Sequence, residues 1–219
     1  QLVEFKAVKE GEEQEWLKSE GEEVRGKFTT QGFWLGKYEV TQAQWETVLG
    51  KNPSHFKGAK LPVEIVSWYD CQAFVKKCAV SGLKVKLPHE DEWEYACRGG
   101  LGNKQPFYWG DTLNGDKANC DGNYPYGTTT GEYLKKTTEV GRYESKAKHP
   151  WGLCDLSGNV YEWCENLYSP GRAERVLRGG CWSISARFCR SAYRTQNAPT
   201  CSYELLGCRL ALVPSADDS

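Results

Sequence analysis

The chain has 219 residues with 28 basic and 29 acidic side chains, a formal net charge of −1. That length fits one large domain spanning 1–219, and so balanced a charge offers no field to recruit nucleic acid or an anionic membrane. No apolar run approaches the roughly 20 residues needed to span a bilayer, and the N-terminus lacks the basic, apolar and small-residue series of a secretion signal.

Such a chain is either cytosolic or a mature form without its leader, and the absence of Met, even at position 1, favours the latter. Nine Trp, 23 Gly and 13% aromatic residues predict large rings joined by many tight turns, hence the α+β class rather than a helical bundle. The ten cysteines and three histidines show no zinc-type spacing, so most thiols are expected to be buried as small hydrophobes. Cys71 and Cys78 lie seven apart on a predicted helix, roughly 10 Å along its axis, too far to bridge each other.

In chain order, Leu2-Val-Glu-Phe5 predicts an edge strand, followed by an acidic lead-in with surface turns to residue 26. Gly32 to Val40 alternates as a strand. Thr41 caps a helix through Gly50 with Gln44 in the capping-box position and Trp45, Val48 and Leu49 as its buried stripe. Ser67 caps a second helix, with Trp68, Cys71, Phe74, Val75 and Cys78 on one face, ending at Gly82. Lys84 to Pro88 predicts a short strand, and Glu90 to Cys97 a third helix stopped by Gly99-Gly100. Its carboxylates, Glu90, Asp91, Glu92 and Glu94, suit the helix dipole and are expected to be solvated rather than catalytic. Residues 101–150 predict turns and loops without a long regular element.

Asp155-Leu-Ser-Gly158-Asn-Val160-Tyr-Glu162-Trp163 sets two carboxylates around a Gly-Asn turn. Carboxylate and carbonyl oxygens are what a hard cation such as Ca²⁺ selects; a plain turn with an Asp cap is the competing reading. Near the C-terminus, Arg178-Gly-Gly-Cys-Trp182 combines a tight bend with an aromatic expected to be buried, and Leu210 to Val213 predicts a closing strand. Between them, Ser183 to Phe188 and Tyr193 to Leu205 show neither the two-residue nor the 3.6-residue apolar period. A long irregular segment between ordered ends is usually a working surface.

Several motifs coincide in order over about 33–213. Gly36-Lys-Tyr-Glu-Val-Thr-Gln-Ala-Gln-Trp45, Pro62-Val-Glu-Ile-Val-Ser-Trp68, Leu87-Pro-His-Glu-Asp-Glu-Trp-Glu-Tyr-Ala-Cys-Arg-Gly-Gly100, Gly152-Leu-Cys-Asp-Leu-Ser-Gly-Asn-Val-Tyr-Glu-Trp163 and Arg175-Val-Leu-Arg-Gly-Gly180 resemble the formylglycine-generating-enzyme, or sulfatase-modifying factor, family. The resemblance implies that family's C-type-lectin-like α+β fold, with much irregular structure and bound calcium. It implies one Ca²⁺ held by Asp155 and Glu162 with the carbonyls of Gly158 and Val160; a second family site, at Asn119, lacks its Asp partner near Tyr133.

Fold does not carry activity. Oxidising members hold copper on two cysteines after the Arg-Gly-Gly motif, but here that loop reads Ile184-Ser-Ala-Arg-Phe-Cys189, with one thiol missing and Ser185 in the place of a histidine. A lone Cys189 does not reproduce two-thiolate copper ligation. The family's disulfide from Cys97 would meet Ser191 in place of a cysteine. An oxidase with Cys181 replacing the missing thiol is the rival reading, and a structural member without a fixed ligand a third.

The C-terminal segment also resembles the variable region, here about 181–208, of proteins diversified by retroelements, which randomise the adenines of Asn codons. Changing both adenines of AAC yields only codons ending in C, excluding Lys, Glu, Gln, Met and Trp. Ser183, Ile184, Ser185, Arg187, Phe188, Tyr193, Thr195, Ala198, Thr200, Cys201, Tyr203 and Leu205 obey that exclusion. The expectation is a non-catalytic, monomeric binding protein showing these twelve side chains to a macromolecular ligand, a protein or cell surface, with Phe188, Tyr193 and Tyr203 as anchors. The same resemblance implies a bacterial surface location as a lipoprotein.

Overall fold

The computed structural model describes residues 2–4, 32–100 and 102–215. The expected surface turns before residue 32 lie outside the described residues. Among the described residues, two four-stranded sheets, three short α-helices and one 3-10 turn carry the regular structure, and the remaining described residues are turns and irregular backbone.

The first sheet runs β1 (Leu2–Glu4), β2 (Trp34–Gly36), β8 (Ala211–Pro214), β3 (Leu83–Lys86), all antiparallel. β1 therefore sits at a sheet edge, as expected. The second runs β6 (Arg194–Asn197), β5 (Arg175–Arg178), β4 (Tyr161–Leu167), β7 (Leu206–Gly207), with β4 and β7 parallel. In the second sheet the alternation of side chains along each strand serves two cores. Cys164 and Val176 join Leu35 and Ala211 of the first sheet, Phe33 just before β2, and Trp93, Ala96 and Cys97. Tyr161, Trp163 and Leu177 point the other way, among Trp45, Cys71, Phe74 and Val75.

Helix α1 (Gln42–Leu49) starts at Thr41 with the reciprocal capping box to Gln44 and stops at left-handed Gly50. α2 (Trp68–Lys77) repeats the device with Ser67 and Asp70. It ends at Lys77, not at Gly82, because extended Cys78 leads into a tight turn bridging Val80 and Leu83. α3 (Glu90–Cys97) ends before Gly99 and Gly100, both with positive φ. A Cβ at either would press into Pro150 or Trp151.

The solvated first turn expected of α3 is a misreading. Glu90, Glu92 and Glu94 are buried, because cations from other segments, and Arg98 at the end of α3 itself, converge on them. Arg194 pairs with Glu90 at 2.8 Å, Lys86 with Glu92 at 2.8 Å, and Arg98 and Arg178 both with Glu94. They clamp the framework together.

Candidate ligand-binding surface

β5 carries Arg178 to the start of the irregular segment, where Gly179 and Gly180 turn the chain with φ of 89° and 78°. A Cβ on Gly180 would lie 2.5 Å from the Cys189 sulfur, so only glycine lets the segment fold back this closely. Residues 186–189 form one 3-10 turn. β6 then pairs with β5 from Arg175↔Asn197 to Arg178↔Arg194, so 194–197 is a strand although its sequence has no apolar alternation. Pairing with a central strand, rather than burial of one face, fixes it.

The backbone of the segment is tied down by residues outside the twelve candidate positions. Trp182 donates its main-chain N–H to Asn159 O at 2.9 Å, Ser191 to Pro106 O at 2.7 Å, and Ala186 to Tyr124 O at 3.1 Å. The carbonyls of Pro199 and Tyr203 accept from the amides of Trp68 and Ile65 at 3.1 and 3.0 Å. Arg178 is wholly buried and donates to the carbonyls of Ser191, Ala192 and Tyr193 at 2.9, 3.0 and 2.7 Å. Arg194 makes two 2.8 Å bonds to Glu90 and lies 4.0 Å over the Tyr168 ring.

None of the twelve candidate side chains is buried: Arg187, Thr200 and Tyr203 are exposed and the other nine half-buried. Ala186, Arg190 and Ala192, between them, are buried. The twelve are not equally free. Ile184, Tyr193, Cys201 and Leu205 also pack on the core below α2, and the Tyr193 hydroxyl reaches that of Tyr161. Phe188 leans on Tyr193 with centroids 4.9 Å apart. Trp182 is half-exposed, not buried as expected. Its indole lies edge-on to Phe56 and stacks on Tyr133, while its N–H donates to Glu204 O at 3.1 Å. Phe56, Tyr124 and Tyr133 thus border the surface. Sequence reading missed them because they come from loops distant in the chain.

The thiols of this region are poorly suited to nucleophilic or metal chemistry as they stand. Cys181 and Cys189 are fully buried, and burial pushes the Cys181 thiol up to about 11. The nearby Cys120 thiol and burial hold Cys189 well above the usual thiol range. Cys97 lies 3.4 Å from Ser191 Oγ, the position that the resemblance pairs with it.

The expected calcium ligands are arranged differently from a cation cage. Glu162, wholly buried, accepts from Arg209 Nη2 at 2.7 Å and Nε at 3.0 Å and from Trp93 Nε1 at 2.7 Å. Asp155 Oδ2 accepts from Gly141 N–H at 2.5 Å, and burial raises its pKa to about 6. The Val160 N–H and Asn159 Nδ2 donate to Glu39, a buried carboxylate to which sequence reading gave no role, at 3.2 and 2.6 Å. Burial and the nearby Asp155 and Glu162 hold Glu39 well above the carboxylate range. Gly158, with φ of 81°, lies so close to the Asn119 carbonyl that a Cβ would collide with it. Both oxygens of Glu162 thus accept from Arg209 and Trp93. Among the described residues no group of three or more His, Cys, Asp or Glu side chains is placed to hold a metal ion.

Comparison with known proteins agrees with this architecture. The chaperone protein LppX of Paenibacillus barcinonensis is 30% identical over 211 residues, covering 75% of this chain and 74% of that protein. The inactive C-alpha-formylglycine-generating enzyme 2 of Mus musculus is 34% identical over 179 residues, covering 78% of this chain. The chain spans little more than half, 56%, of that relative's length. Among solved structures, Treponema denticola variable protein 1 superposes with a TM-score of 0.77 at 26% identity, over 97% of this chain and 95% of the other. The fold is therefore the C-type-lectin-like one of these proteins. With its motifs in order and residues 4–213 matched, the chain belongs to the sulfatase-modifying factor enzyme 1-like domain family.

Proposed function

We propose that this chain is a non-catalytic ligand-binding protein whose segment 183–205 is a diversified recognition surface on a fixed scaffold. One observation carries the reading. The main chain of the segment is held by groups outside it, Arg178, Asn159, Tyr124, Ile65 and Trp68 among them, while all twelve candidate side chains keep access to solvent. A backbone held this way tolerates many side-chain sets, and aromatic anchors supply contact area at low entropy cost. The likeness to a protein titled a variable protein supports the same reading. The ligand is a macromolecule, a protein or cell-surface component, and the place of action is the bacterial surface. No helix among the described residues is long and apolar enough to cross a membrane.

The experiment exchanges the twelve side chains as a set for unrelated ones compatible with the Asn-codon rule. Retained cooperative melting with altered binding to panels of cell-surface proteins is expected. Loss of folding in most exchanged sets would overturn the reading. In the genome, a reverse transcriptase gene and an Asn-codon-rich near-copy of 175–211 beside this one are expected.

The rival reading, copper-dependent oxidation of protein cysteine to formylglycine, draws on the active enzymes of the family. Inaccessible Cys181 and Cys189 weigh against it, since the thiolate is the reactive form. Incubation with copper, oxygen and a sulfatase-type cysteine peptide should yield no aldehyde above a Cys189→Ser control. Aldehyde above that control would reinstate the enzyme.

A further inference from the structure

Cys189 and Cys120 approach each other from segments far apart in sequence, in the small core of Phe107, Leu113, Ala118 and Ala186. Both are free thiols buried in that one cluster, and the nearby Cys120 thiol, with burial, raises the pKa of Cys189. The backbones on either side are already laced together. Asp121 donates its N–H to Ile184 O at 3.0 Å and bridges Ser185, and Ser185 Oγ donates to Tyr124 O at 3.1 Å. Cys181, the third thiol nearby, is turned toward Ser183 Oγ at 3.6 Å. Cys189 sits in the middle of the recognition segment, and Cys120 at the root of the loop carrying Tyr124.

We propose that Cys120 and Cys189 are a modification site: in an oxidising compartment they join as a disulfide that staples the 120–126 loop to the recognition segment. Both S–H bonds break and one S–S bond forms. Two electrons reduce the S–S bond of a low-molecular-weight or protein disulfide by thiol–disulfide exchange, and the two protons go to the two thiols it releases. The thiols are sealed in the folded chain, so exchange happens while the segment is still open, during folding. The staple removes conformational freedom from the unfolded chain and holds the backbone under the surface in one shape whatever the neighbouring side chains. It rests on packing alone and does not require that the segment be diversified.

The test is refolding in glutathione buffers of graded redox poise, alkylation under denaturant, protease digestion and mass spectrometry. At oxidising poise most chains should yield the Cys120 and Cys189 peptides joined, and in Cys120→Ala the Cys189 peptide should be recovered alkylated. Recovery of both wild-type peptides as alkylated thiols at the most oxidising poise would overturn the proposal. Joining of Cys189 to Cys181 instead would also overturn it. The failure of the recognition reading is separately visible, as loss of folding on side-chain exchange in chains where this bond is absent.

Discussion

At the residue scale, charge burial sets the largest expected effects. Arg209 spends its donors on Glu162 and on the carbonyls of Gly36, Lys37 and Cys154 at 2.8–2.9 Å, with no solvent access. Arg209→Met leaves Glu162 buried without its cation, which costs about 3–5 kcal/mol; urea denaturation should show it. A loss below about 1 kcal/mol would mean that the carboxylate finds another partner. Asp155 gives the opposite sign. Its folded pKa, about 6, lies above the 3.8 of the unfolded chain, so its contribution is present below 3.8 and lost as pH rises through 6. Asp155→Asn should therefore gain on the wild type between pH 4 and 7.5, by on the order of 2–3 kcal/mol. A pH-independent difference would remove the assigned cause. Calcium belongs here too. With Glu162 saturated by Arg209, dialysis against a chelator should leave the melting temperature unchanged. A fall reversed by added calcium would show Glu162 leaving Arg209 for the metal.

The recognition segment and the helices raise the question of what holds an element in shape. Capping is local: Thr41→Ala or Ser67→Ala should each cost about 1 kcal/mol, read as a shift of roughly 2–4 °C in Tm. In the segment, the side chains divide by what they touch. Arg187→Ser, Thr200→Ala and Tyr203→Ser should stay within about 0.5 kcal/mol, whereas Ile184→Ser and Tyr193→Ser, whose rings or branches reach the core, should cost about 1–2 kcal/mol. Half-exposed Trp182→Ala should fall in that middle range, below the roughly 3–5 kcal/mol of a fully buried ring such as Trp93. Equal melting losses across all six variants would contradict the division. These elements were unevenly legible. The capping boxes at Thr41 and Ser67 are written within four residues, and both helices start where expected. β6 was missed because its cause, pairing with β5, lies nearly twenty positions upstream. The burial of Glu90, Glu92 and Glu94 was missed because Arg178, Arg194 and Lys86 come from other segments.

For the whole molecule, the two sheets and the third helix share one core, and the closing strand β8 lies between β2 and β3. The fold class was readable because the motifs follow one another in order over most of the chain. The border of the recognition surface was not, since Phe56, Tyr124 and Tyr133 meet Trp182 and Ser185 only after folding. Arg209 shows what such closure implies for synthesis. It follows the recognition segment in the chain, so Glu162 waits in the nascent protein without its cation until 183–205 has been made and laid down. A side-chain set that cannot be laid down leaves that charge unanswered and the closing strand undocked. Such a chain stays open to proteases, so, if the surface is diversified as proposed, the position of one arginine makes folding a proofreading step on each version of it.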